Sequence, residues 1–560
     1  MGTPSTPRVR TSLAACGGLD GWGWDVGCMR VREPSTGGGG KPVPRVRSQG
    51  VLGAGVAQSG EGAPGPGEAR LLASGALLQQ VAQASGLLVL LVIVTVLARR
   101  LSVAELGAYG LVVSLAGYLL ALRNSIASST VRAMASAVGP VERGRMFSTA
   151  AALYAGVGLV TGLVIVAAAL GIAGFILDGE LASDARVGGT GLGVVTAIGI
   201  TATVYLDRLR AERMFVLAAR TEIVAVGLHL AMMLTLIFSG ADLSLVIAAS
   251  GAIPLWSGTL CAFAARRARL PFRFAPARAS RERLMTIVPT AGWLLVVELC
   301  NLAMYAFSRV ILGAYRTPAA VGRFEGPVRA HNLLYALGGA LAVPVVPTAA
   351  RYVATGDDRR LRELVVRGTR YTLGLFVPVC VTLIVLSEPI LEVWLGERYA
   401  SGDLALAILV SYWLLYGGLV VTPGFLVGAG MARAVASIMV VVAAANLALS
   451  IALTPELGLE GPAVATALPF FVAFPFMLRV GLRASGASLS QLAERAWAPN
   501  YLLGGVLALG LLGLRMVVDA PLAEVVLGGA ALLIYWTLFY RFVLGESERA
   551  LVRGLVTRRG

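Results

Sequence analysis

The sequence predicts an all-α polytopic membrane protein of about fourteen transmembrane helices, and three observations predict it. Of 560 residues, 57% are hydrophobic and only 14% charged, and the mean hydropathy is +0.78; too few polar side chains remain to face water around soluble domains. From Leu71 onward, apolar stretches of about 17 to 25 residues recur between short polar breaks, the length that a hydrocarbon core of ~30 Å asks of a helix. With the N-terminus inside, 38 of the 47 Lys and Arg fall in inner segments and 9 in outer ones, the asymmetry expected when cations flanking a span are retained in the cytoplasm. Both termini are therefore expected in the cytoplasm, with the chain multi-pass in the cytoplasmic (inner) membrane.

The elements follow in order. Residues 1–70 are Gly- and Pro-rich, carry Arg8, Arg10, Arg30, Arg32, Arg45 and Arg47 without apolar periodicity, and read as a disordered basic cytoplasmic tail. That stretch lacks the uninterrupted apolar core of a secretory signal. Six spans at 75–98, 105–122, 147–170, 188–206, 215–238 and 243–264 make an N-terminal six-helix lobe over 71–270. Six more at 286–313, 328–347, 371–387, 404–427, 434–453 and 461–480 make a C-terminal lobe over 284–483. Two additional helices, at 499–518 and 522–543, occupy 497–545, and 546–560 is a cytoplasmic tail. Seven Arg between 266 and 283 are the strongest marker of the inner side.

The two lobes echo one another. Leu101 to Tyr109 aligns with Arg316 to Phe324 at an offset of 215, and helix initiation explains the match. Ser102 and Glu105 form a capping-box pattern before the second span, while Thr317 with Pro318 starts the eighth. Gly107 and Gly322 each permit close approach of a neighbouring backbone. Two halves with an even number of spans share one orientation, so they are expected as parallel repeats with a substrate path at their interface. Prolines 254, 289, 344, 347, 378, 423, 469 and 475 interrupt helices and suit bending between states.

Several functions are excluded or demoted. Lys occurs once, at Lys41, and the arginines are scattered between apolar runs, so the net charge of +16 is no nucleic-acid footprint. Cys16, Cys28, Cys261, Cys300 and Cys380 lack paired or metal-ligand spacing and there are two His, so neither a disulfide framework nor a His/Cys metal site is expected. No phosphate-cradling GxxxxGK[ST] loop is present, and no cofactor is implied. The outer connections are short, the longest near 388–403. They leave no room for the extracytoplasmic site of a membrane glycosyltransferase or ligase, so no catalytic residue is assigned.

Degenerate motifs in a particular order carry a resemblance. They are Leu97 to Ser102 and Glu105 to Gly110, then Ser114, Tyr118 and Arg132-Ala133; Gly356-Asp357 with Arg359-Arg360-Leu361; Val393 to Tyr399; and Leu457 to Ala463. With these, residues 71–485 resemble the polysaccharide and oligosaccharide flippases, the Wzx-like branch of the superfamily that includes MATE-type multidrug exporters and the lipid II flippase. The resemblance implies two helical lobes around a central cavity. It also implies translocation of a polyprenyl-diphosphate-linked glycan from the inner to the outer leaflet, alongside the polymerase and glycosyltransferases that use such lipids, and a coupling ion. Arg123 and Asn124 depart from the small residues expected there, and the last two spans lie outside the shared part. A MATE-like drug/cation antiporter and a lipid II flippase are the rival readings; the antiporter asks for a carboxylate deep in the first half, which the first span lacks.

Such cargo requires a wet cationic compartment, and ionisable groups inside spans are costly enough to be site candidates by default. In span seven, Glu298, Tyr305 and Arg309 share a helix face with Asn301 nearby, so Arg309 is expected to meet phosphate. Glu298 either pairs with Arg309, binds a coupling cation or accepts a proton; alternatively, Arg309 snorkels and Glu298 serves packing. Arg329 and His331, at the start of span eight, are candidate substrate contacts or an interfacial start with a packing face. Gln79 and Gln83 form a polar stripe in span one suited to sugar hydroxyls or to amide-mediated packing. Arg123, ending span two, is a substrate contact or a snorkelling cation. Arg220 and Glu222 read as interfacial, and His229 as a packed neutral imidazole.

Overall fold

The computed structural model describes residues 66–268, 270, 279–287 and 292–557; the tail expected over 1–65 and much of the arginine-rich connection lie outside the described residues. Among the described residues the regular structure is helical: α1 (Pro66–Arg100), α2 (Val103–Ser136), α3 (Pro140–Phe175), α4 (Gly179–Ala202), α5 (Val204–Ala211), α6 (Phe215–Phe238), α7 (Leu243–Ala249), α8 (Ile253–Arg267), α9 (Arg281–Ile287), α10 (Gly292–Asn301), α11 (Phe307–Tyr315), α12 (Pro318–Ala342), α13 (Val345–Thr355), α14 (Asp358–Val385), α15 (Ser387–Leu395), α16 (Asp403–Tyr416), α17 (Val421–Gly428), α18 (Ala432–Leu457), α19 (Glu460–Ser485), α20 (Leu489–Leu492), α21 (Ala498–Arg515), α22 (Pro521–Leu538) and α23 (Glu546–Thr557). A π turn, Leu302–Ala306, joins α10 to α11.

Among these residues, twelve stretches are long and apolar enough to cross a membrane, and α7 with α8, bent by 46° at a short break, make a thirteenth. The span expected at 105–122 falls in α2, whose apolar stretch among the described residues is Val103–Gly117. Beyond it α2 carries Arg123, Asn124, Arg132 and a run of small polar residues. The chain is a multi-pass membrane protein, with twelve such helices, or thirteen with the bent pair, among the described residues.

Local chemistry sets the helix starts. The Ser102 hydroxyl accepts from Glu105 N–H at 3.2 Å and Ser102 N–H donates to the Glu105 carboxylate at 2.7 Å, completing the capping box. The Thr317 hydroxyl accepts from Ala320 N–H at 3.4 Å, with Pro318 in the first turn. The eighth span thus begins ten residues before its expected start at 328, and Arg329 and His331 sit inside the helix rather than at an interface. Arg323, Glu325 and Arg329 lower the local hydropathy, which hides the early start. Likewise α14 begins at Asp358 and not 371, because Asp357 caps Arg360 N–H at 3.0 Å and its first turns are amphipathic.

Helices α1 to α8 pack among themselves, chiefly α3 on α4, α4 on α7 and α8, and α1 on α6; α14, α16, α18 and α19 form another mutually packed set. The two sets meet most extensively where α2 crosses α12. A Cβ on Gly107 would stand 1.8 Å from the Pro318 carbonyl oxygen, and one on Gly322 would stand 2.0 Å from the Val103 carbonyl oxygen. The contact is reciprocal: 103 meets 322 and 107 meets 318, the same pairs under the offset of 215. Only glycine lets the backbones come this close. Helices α21 and α22 pack on each other and against α14 and α15.

A second bridge spans the same two sets. Trp394 Nε1–H donates to Thr95 Oγ1 at 2.7 Å, Arg99 donates to the Val393 carbonyl at 2.9 Å, and Arg398 donates to the Ala98 carbonyl. The conspicuous Val393 to Tyr399 stretch therefore straps α15 and the following 3-10 turn onto the end of α1.

Candidate functional site

Two buried polar groups occupy the bundle. The first lies where α2, α11 and α12 converge. Glu325, 1% exposed, receives Arg309 Nε–H at 2.5 Å on one oxygen and Arg329 Nε–H at 3.0 Å on the other. The Arg329 bond follows from i,i+4 spacing on α12; the Arg309 bond crosses from α11. Glu325 abuts Gly110, where a Cβ would come within 2.4 Å of its carboxylate, so its pocket exists only because α2 has glycine there. Gly110 and Glu325 are themselves 215 apart, at the centre of the reciprocal contact. The three ionised groups carry one net positive charge, and Arg329 Nη2 is buried without a hydrogen-bond partner. A buried donor left unmade costs the full desolvation of the group, so this N–H lacks the partner that its burial calls for.

Next to it runs a polar, aromatic row. Asn301 Nδ2 donates to the Tyr335 hydroxyl at 2.8 Å and approaches the Glu298 carboxylate at 3.5 Å. Tyr305 lies 5.1 Å from the His331 ring and 5.8 Å from Tyr335. His331 Nε2 shares a 2.7 Å hydrogen bond with the Tyr412 hydroxyl, and Tyr412 stacks on Trp413 and Phe470. Tyr335 is 41% exposed, at the edge of a largely buried cluster.

The structure therefore brings Glu298, Asn301, Tyr305, Arg309, Arg329 and His331 into one neighbourhood, with one correction. Arg309 does not pair with Glu298: it reaches Glu325, while Glu298 faces Asn301. Eleven residues along a helix is about 16 Å, beyond any direct bond, and the π turn between α10 and α11 shifts the register further. Nor does Arg309 snorkel, being 1% exposed. Glu325 and Tyr412 were missed. The signal for Glu325 was its i,i+4 spacing to Arg329, visible once Thr317 and Pro318 are taken as the helix start.

The second group lies in the first set of helices. Asp207 of α5 is fully buried and accepts from Arg123 Nη2 at 2.5 Å, from Arg210 Nη1 at 3.2 Å and from the Tyr154 hydroxyl at 2.5 Å. Arg123 also donates Nε–H to Thr203 Oγ1 at 3.1 Å. Arg210 reaches both Glu222 oxygens at 3.1 Å and Gln79 Oε1 at 3.4 Å. Arg123 is thus neither the end of its helix nor a snorkelling cation, because α2 continues to Ser136 and a buried carboxylate claims it. Gln79 joins this network and Gln83 is exposed; neither meets the α11–α12 group. His229 is buried in α6.

Comparison with known proteins fits this architecture. A family described as "Polysaccharide biosynthesis protein" matches residues 96–402, more than half of the chain. A segment of 162 residues is 24% identical to the "Probable low-salt glycan biosynthesis flippase Agl15" of Haloferax volcanii, covering 29% of this chain and 34% of that protein. The match thus spans about a third of that relative. Among solved structures, "Lipid II flippase MurJ, inward closed conformation" superimposes with a TM-score of 0.64 at 15% identity, over 83% of this chain and 99% of that one. An inward-facing "multidrug resistance MATE family transporter of the MOP superfamily" gives 0.60 at 16% identity, over 73% and 98%. At such identities the likeness is one of fold. With the family matched over α2 to α8, the α2–α12 contact and α15, more than half of its length, the chain belongs to the polysaccharide biosynthesis protein family.

Proposed function

We propose that the chain is a flippase, and not an enzyme, carrying a polyprenyl-diphosphate-linked oligosaccharide from the inner to the outer leaflet by alternating access, for cell-surface polysaccharide biosynthesis. The observation that carries this reading is the Arg309–Glu325–Arg329 group: buried between the two helical sets, one charge in excess, with an N–H of Arg329 uncommitted. Guanidinium forks match phosphate oxygens, and the neighbouring Asn301, Tyr305, His331 and Tyr335 supply the aromatic faces and hydroxyls that sugars use. Glu298 stands at the edge of that row as the coupling group for an ion or proton. In this reading the prenyl chain stays in the bilayer, and the excess of Lys and Arg in the segments assigned to the inner side supports cytoplasmic termini and loading from inside.

The antiporter reading has one feature in its favour, the buried carboxylate of Asp207 in the first helical set. Asp207 and Glu222 are matched by Arg123 and Arg210, so the group is neutral and offers no net negative charge to a cationic drug.

The test is deletion of the gene followed by lipid extraction, with complementation by the wild type and by Arg329→Gln. Accumulation of a polyprenyl-diphosphate oligosaccharide on the inner leaflet, cured by the wild type, is expected. Arg329→Gln keeps the Arg309–Glu325 pair and should reach normal membrane abundance while failing to cure. Unchanged lipids with altered drug sensitivity would instead establish the antiporter.

A further inference from the structure

Apart from the α2–α12 contact, a second cationic compartment lies at the end of the bundle where α14 begins. An open cavity of about 360 Å³ is lined there by Arg359, Arg362, Arg367 and Arg370 of α14 and by Arg495 in the turn after α20, against Glu363 and Glu548. Both carboxylates are committed. Glu363 stands 3.5 Å from Arg359 and 3.5 Å from Arg367, and Glu548 of α23 accepts from Arg370, from the Tyr371 hydroxyl and from Gly545 N–H. Neither Arg362 nor Arg495 has an ion-pair partner among the described residues, and Arg370 Nε is buried without a hydrogen-bond partner.

Arginines that merely mark the inner side of a membrane fan outward into water and headgroups. Here Arg362, Arg367 and Arg370 of α14 and Arg495 of the turn after α20, two elements far apart in sequence, line one hollow together with the more exposed Arg359, five guanidiniums against two carboxylates. Like charges so gathered repel unless an anion enters, and the available forks favour phosphate. The hollow is large enough to admit a phosphate, a diphosphate or a phospholipid headgroup. Two of its walls, the turn after α20 and α23, lie beyond the family match, which ends at residue 402.

We infer that this cavity binds a phosphate-bearing anion, either the headgroup of an anionic phospholipid or a soluble diphosphate. The inference does not rest on the flippase reading, since the cavity lies outside the α11–α12 group.

The test uses the purified full chain. In detergent, sodium pyrophosphate is titrated by calorimetry; in nanodiscs of mixed phosphatidylcholine and phosphatidylglycerol, native mass spectrometry counts the phospholipids retained. The variant Arg362→Gln/Arg495→Gln removes two exposed, unpaired cations, and Arg186→Gln/Arg433→Gln removes two exposed cations elsewhere as a control for bulk charge. Pyrophosphate binding weakened at least tenfold in the first variant alone supports a soluble anion. Preferential phosphatidylglycerol retention lost in the first variant alone supports a lipid headgroup. Binding of neither probe by the wild type, or equal behaviour of the two variants, would overturn the proposal.

Discussion

At the residue scale, Glu325 binds two arginines from different helices, Arg309 and Arg329, at the point where α2 and α12 touch. Breaking a buried ion pair by removing one partner costs about 3–5 kcal/mol because the surviving charge stays buried. Glu325→Gln is therefore expected to lower the thermal unfolding midpoint in detergent markedly, and the paired change Glu325→Gln with Arg309→Met to recover most of it. Unfolding of Glu325→Gln at the wild-type temperature would show that the group adds nothing to stability. The residue was hard to find from sequence because a carboxylate among apolar residues reads as a loop until the helix start is placed. Asp207 was hidden similarly, just before Arg208 and Arg210 in what resembles an interfacial connection. Arg309, Arg329 and His331 were legible because their cost in a span marks them, whatever they bond.

At the element scale the strap formed by α15 and its following turn and the docked helix α23 each support a prediction. The strap ties Trp394 and Arg398 to the end of α1, and in the proposed alternating access these parts separate. On a cysteine-free background, Thr95→Cys/Trp394→Cys bridged by a short bis-thiol reagent should block export, and cleavage of the bridge should restore it; undiminished export with full bridging would show that the strap does not move.

Helix α23 is held to α14 through Glu548. Burial pushes this carboxyl up, but the Tyr371 hydroxyl, the Gly545 N–H and Arg370 together hold it below the usual carboxylate range. A depressed folded pKa contributes stability that is present above the unfolded value of about 4.3 and lost as pH falls through the folded value. Protection of the α23 amides, taken relative to their intrinsic exchange rates, should accordingly fall below pH ~4 and stay level from there to neutrality, and Glu548→Gln should show low protection throughout. A wild-type profile without an acid step would remove Glu548 as the tether.

For the whole molecule, the prediction concerns orientation. Reporter fusions after Asp242 and after Arg273 should report the outer and inner side respectively, because the cation asymmetry puts 38 of 47 Lys and Arg inside. An external position for the second fusion would invert the loading side of the proposed transport.

How much was legible differs by level. Apolar runs located every long helix, since a lipid solvent makes hydrophobicity a direct readout of burial depth. Their starts were misplaced at α12 and α14, where capping and amphipathic turns carry the helix past its apolar part. The glycines of α2 and α12 could be recognised as close-approach positions, but not that they approach each other.

By itself the sequence determined that this chain lives in a membrane as helices, where those helices start when Ser102 and Thr317 cap them, and which buried ions demand partners. Each is a local matter of transfer energy, backbone hydrogen bonding or desolvation. The tertiary structure alone decided which partner each ion took, that Arg309 belongs to Glu325 and Arg123 to Asp207. Pairing depends on which helix faces lie within about 3 Å of one another, and that follows from packing across more than a hundred residues of chain, which no local pattern encodes.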